Sequence, residues 1–202
     1  PSRADSIEQV VALYRDRADG IRAGLLLTCL GGGLLGPWVA AISTQLKRIE
    51  GRDSPLTYTQ LGLGMLTLIV FTIVPMVLQT AAFRPDRNPD ALLALHDLGW
   101  ITFIGVYAFP TVQCLAITAC VFSDPEQRIL PRWFGYFNAW VAIGFMPAST
   151  IYWFKEGPFA WNGFFPWWLP VGVFFAWIVV NTAVIRRAIL AQAVEESAGR
   201  RE

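Results

Sequence analysis

His96 and Asp97 stand side by side at the head of the hydrophobic segment 91–122, the only apolar run that carries a histidine and a carboxylate together. Imidazole and carboxylate are common groups for proton transfer, so His96, Asp97 and Glu156 are the candidate catalytic residues. Neighbours on a helix point about 100° apart. His96 and Asp97 therefore cannot face one substrate atom without a third group, which Glu156 or Lys155 of a later loop would supply. The competing expectation places both in the headgroup layer, where they satisfy loop backbone. At helical spacing His96, Trp100, Phe103, Tyr107, Thr111 and Cys114 share one sector, a polar and aromatic stripe descending into the apolar layer. Pro110 interrupts it and frees carbonyls that neighbours must satisfy, so this face is expected to look at protein.

Other chemistry is argued down by what the chain lacks. A lone histidine cannot make two-histidine haem ligation, and a zinc or non-haem iron site needs more nitrogen ligands, so no metal and no cofactor are expected. The only lysines, Lys47 and Lys155, lie in loops, which removes a Schiff base within the apolar runs. No Walker loop, G-x-S-x-G elbow or H-E-x-x-H motif occurs. The polar groups inside the runs are amides and hydroxyls, Gln60, Gln79, Gln113, Asn138, Ser149 and Asn181, which suit helix contacts or a neutral ligand, not a charged cargo. A net charge of +1, with bases spread over many segment ends, argues against nucleic acid.

The elements that must position these residues are apolar helices. The 202 residues are 54% hydrophobic and 15% charged, grouped in blocks that read as an all-α, polytopic transmembrane bundle. A span takes roughly 20 apolar residues, and about five are expected, near 21–43, 56–83, 91–122, 133–154 and 166–185, within a bundle covering 21–187. Residues 1–20 are read as an amphipathic surface helix opened by the Ser6–Gln9 capping box, and 188–202 as an exposed polar tail. Residues 1–20 are of mixed charge and do not resemble a cleaved signal. Opening on Pro1 without an initiating methionine, the chain is expected to begin inside a longer sequence.

Cys29, Cys114 and Cys120 all fall inside apolar runs and read as buried small hydrophobes. Gly32-x-x-x-Gly36 permits close helix approach, within the chain by preference and otherwise across a homo-oligomer seam. Residues 155–168, rich in Gly, Pro and Trp, read as an interfacial or re-entrant lid. Five spans put seven Lys/Arg on the side of the amino terminus and nine on the other, which favours a cytoplasmic carboxyl terminus and an external amino terminus in a cell membrane.

The stretches Ala-Ala-Phe-Arg-Pro-Asp-Arg at Ala81–Arg87 and Gly-Pro-Phe-Ala-Trp-Asn-Gly at Gly157–Gly163 carry a resemblance to uncharacterised multi-span membrane proteins of actinobacterial type. That resemblance extends over most of the chain and implies a lipid or steroid setting, with no residue roles to transfer. Small multi-span sterol isomerases of the emopamil-binding type offer an analogy in chemistry, without a matching motif. The expected function is to bind an apolar lipid- or sterol-like ligand, or to assist a membrane partner that handles one. Trp100, Tyr107, Asn138, Trp161 and Trp168 are the expected ligand-binding residues. An intramembrane enzyme using His96 and Asp97, and a structural subunit of a larger complex, are the alternatives.

Overall fold

In the computed structural model, which describes residues 6–200, every regular element is helical. Helix α1 spans Ile7–Asp16 and opens on a complete capping box, the Gln9 amide donating to Ser6 Oγ and the Ser6 amide to Gln9 Oε1. Its Val10 and Tyr14 are buried against Ala81, Ala82 and Leu92, so the helix docks on the chain's own surface. Then follow α2 (Ala18–Glu50), α3 (Pro55–Phe83), α4 (Pro89–Gly105), α5 (Ala108–Phe122), α6 (Arg132–Phe145) and α7 (Leu169–Gly199). Among the described residues four helical stretches are long and apolar enough to cross a membrane: Ala18–Glu50, Pro55–Phe83, Pro89–Phe122 and Phe164–Gly199. At 1.5 Å per residue, the 33 residues of α2 reach about 50 Å, well beyond a hydrocarbon layer of about 30 Å.

The stretch 133–154, expected as a further span, folds as the 14-residue α6 followed by a seven-residue 3-10 segment, Met146–Tyr152. Pro147 explains the change of pitch. It has no N–H to offer the carbonyl of Ile143, which takes the Met146 amide in a tighter turn instead.

Caps set the other boundaries. Gly51, at φ 79°, ends α2 in a conformation that favours glycine. Ser54 precedes α3 as expected, yet its hydroxyl donates to Gly51 O, and the Glu50 carboxylate caps the helix by accepting from the Leu56 and Thr57 amides at 3.0 and 2.6 Å. Asn88 Oδ1 caps α4 by accepting from the Asp90 amide at 2.8 Å.

Helix contacts are made where side chains are smallest. A β-carbon on Gly32 would stand 2.5 Å from Phe71 Cβ, and one on Gly64 would stand 2.5 Å from Val39 Cγ1, so α2 and α3 meet almost backbone to backbone. Gly135 lies under the Phe122 ring and Gly105 under the Tyr152 phenol. These two contacts fix Arg132–Tyr152 as antiparallel to the α4–α5 pair. The main core gathers Ile42, Leu46, Cys114, Ile117, Phe134, Val141, Trp177 and Ile185 between α2, α5, α6 and α7. Beyond it, α7 continues to Gly199 and is tied to the end of α2 by Arg48–Glu195 at 2.9 Å and Gln45–Gln192 at 3.0 Å.

Candidate functional site

Three prolines that cannot donate to a helix ladder converge on one place. Pro110 leaves Val106 O without its usual partner; the Phe109 amide takes it at 3.1 Å, and the helix breaks at Val106–Tyr107. Pro147 turns α6 into its 3-10 continuation, and Pro166 lies in the π-type turn Phe164–Trp168 that leads into α7. Interrupted helices cannot keep a continuous ridge-and-groove seam. Between these breaks and the face of α3 lies a cavity of about 290 Å³.

Its wall is formed by Thr67, Val70 and Phe71 of α3, Phe103, Ile104, Val106, Tyr107 and Pro110 around the α4–α5 break, Phe145 and Ala148, and Pro166, Trp167, Pro170, Val171, Phe174 and Phe175 at the head of α7. No carboxylate, imidazole, amine or thiol lines it. The Thr67 hydroxyl donates to Leu63 O at 2.9 Å, so it is satisfied within its own helix, and the wall is almost wholly apolar. Phe175 is 63% exposed, so the cavity reaches the outer apolar surface of the bundle on the α7 side.

An aromatic cluster adjoins the cavity. Trp100 stacks on Trp161 with ring centres 5.0 Å apart and meets Trp167 edge-on at 5.5 Å, while Phe103 touches both Trp100 and Trp167. His96 is buried at the far end of this cluster, edge-on to Trp100 and Trp161, and its Nδ1 lies 3.1 Å from the Tyr14 hydroxyl of α1. Burial pushes the Tyr14 phenol up to about 12.

The five expected ligand-binding residues therefore separate. Tyr107 lines the cavity. Trp100 and Trp161 belong to the adjoining cluster, one layer of rings away. Asn138 is wholly buried between α6 and α7, accepting from the Trp177 indole and donating to Phe134 O, both at 2.8 Å. Trp168 is 62% exposed on the outer side of the π-type turn. The candidate catalytic residues are also apart: Asp97 is half-buried, and Glu156 and Lys155 are exposed in the loop. Among the described residues His, Cys, Asp and Glu nowhere gather in threes.

No family model, curated protein or solved structure matches the chain.

Sequence reasoning missed Thr67, Phe71, Trp167 and Phe174 as wall residues. A usable signal was present in Pro110, Pro147 and Pro166, each of which marks an interruption of a helix.

Proposed function

We propose that this chain crosses the cell membrane five times and binds an apolar lipid- or sterol-like molecule in the cavity between α3, the α4–α5 break and the head of α7. The observation that carries the reading is a wall of rings and aliphatic side chains, almost wholly apolar, with an opening at Phe175 toward the apolar surface. Its volume of about 290 Å³ suits an acyl chain or the edge of a flat ring system, at the small end of ligand sites, roughly 300 Å³. A binder is favoured over an enzyme because His96, Asp97 and Glu156 are all absent from the wall.

The fifth crossing is Arg132–Tyr152, supported by its antiparallel register along the α4–α5 pair, from Gly135 under Phe122 to Gly105 under Tyr152. In this reading α1 lies on the external surface with Val10 and Tyr14 turned inward, and the carboxyl terminus is cytoplasmic.

Purified protein in phosphatidylcholine vesicles, irradiated with a diazirine-bearing fatty acid or a diazirine-bearing sterol, tests the site. Crosslinks are expected on peptides containing Phe103–Pro110 and Pro166–Phe175, and Ala148→Phe, which fills the cavity, should lower them several-fold in protein that still melts cooperatively. Labelling that ignores Ala148→Phe would show that the probe reports lipid contact at the outer surface, and the proposal would fail.

A further inference from the structure

A second polar feature lies deeper in the bundle, away from the aromatic cluster, where α2, α3 and α5 meet. Gln60 and Gln113 are fully buried there, at 0% and 1% exposure. Ser43 Oγ lies 2.5 Å from Gln60 Oε1 and 3.1 Å from Val39 O, and its one proton serves only one of them. Whichever way the Gln60 amide is set, one of its two polar atoms keeps no protein partner. Both amide atoms of Gln113 are in the same position, so the orphaned set contains donors and an acceptor together.

Both amides lie within about one helical turn of each other along the seam of α2 and α3. Ser43 and Val39 are one turn apart on α2, and they touch Gln60 and Gly64, one turn apart on α3. Gln113 Nε2 lies only 2.8 Å from where a β-carbon on Gly64 would be. One turn of four residues rises about 6 Å, roughly twice a hydrogen-bond length.

We propose that the gap between Gln60 and Gln113 is a water-binding site sealed inside the helix bundle. Water donates and accepts, so it satisfies both amides in either orientation, and buried waters typically take two to four such partners. The site sits within a continuous buried face of α3, after Thr57, whose amide is held by Glu50, and before Thr67, which lines the apolar cavity. The site stands on the amides alone and does not depend on what the cavity binds.

Water-edited solid-state NMR on protein labelled with ¹⁵N at Gln and Asn side chains, in phosphatidylcholine vesicles, tests it directly. Asn138 is the dry control, since its Oδ1 and Nδ2 are both bonded to protein. Magnetisation from water is expected to reach the Gln60 and Gln113 amides several-fold faster than the Asn138 amide. Gln113→Leu should then slow Gln60 toward the Asn138 rate. Equal build-up at Gln60, Gln113 and Asn138 in the unsubstituted protein would overturn the site. A fast Gln60 signal unchanged by Gln113→Leu would overturn the shared water.

Discussion

Tyr14 and His96 lie 82 positions apart in sequence, and their contact of 3.1 Å clamps α1 to α4. Because burial raises the Tyr14 phenol from 10.0 to about 12, the fold holds its neutral form. The unfolded chain gives up that proton first as pH rises, so the stabilisation is complete below 10 and is lost as pH climbs through about 12. Melting curves between those limits should fall for the unsubstituted protein and fall less for Tyr14→Phe. Losing one hydrogen bond costs about 1 kcal/mol, whereas His96→Ala strands a buried hydroxyl and costs about 1–3 kcal/mol. His96→Ala should nevertheless leave diazirine labelling of the cavity intact. Lost labelling in folded His96→Ala protein would place the imidazole in ligand binding after all. None of this pairing was legible in the sequence. Spacing placed Tyr14 on the inward face of a short helix and His96 at the head of a stripe, but periodicity is local and cannot report which two faces meet.

Helices α2 and α3 show how far a motif can be read and where it stops. Gly32 and Gly36 have the same spacing signature, yet a side chain at Gly32 would strike Phe71, whereas a side chain at Gly36 would meet nothing within 4 Å. Gly32→Leu should therefore lower the melting temperature, at a cost of about 1–3 kcal/mol for overpacking, and Gly36→Leu should leave it nearly unchanged. A shift in oligomeric mass for Gly36→Leu alone, read by native mass spectrometry, would assign that position to a contact between copies. The apolar runs themselves were plain from hydropathy, because the length that crosses a bilayer is fixed by its thickness. Their interruptions were only half visible. Pro110 announced a break, but the change of pitch at Met146 depends on how Pro147 leaves Ile143 to be satisfied, and the π-type turn at Phe164–Trp168 has no periodic signature. For that reason the cavity wall drew on Phe71, Trp167 and Phe174 while Asn138 and Trp168 went elsewhere.

At the scale of the whole molecule the charged contacts sort into two ends. Arg15–Asp86 at 2.8 Å, the Arg22 guanidinium on Ala82 O, and the Tyr14–His96 pair bring α1, the start of α2, the end of α3 and the start of α4 together. Arg48–Glu195, Gln45–Gln192 and the Glu50 cap gather the end of α2, the start of α3 and the tail of α7 at the opposite end. This sorting supports the odd number of crossings proposed above, since the chain enters at the first end and leaves at the second. Four crossings would return the tail of α7 to the Tyr14 end, and its pairing with Arg48 argues against that. In that proposed reading the lysine and arginine count, nine against seven, favours the second end inward. Reporter fusions placed before Pro1 and after Glu202 should give an external amino terminus and a cytoplasmic carboxyl terminus. Termini on opposite sides in the reverse sense would reject only the orientation, because a two-charge difference is a weak bias, whereas termini on the same side would reject the crossing of Arg132–Tyr152.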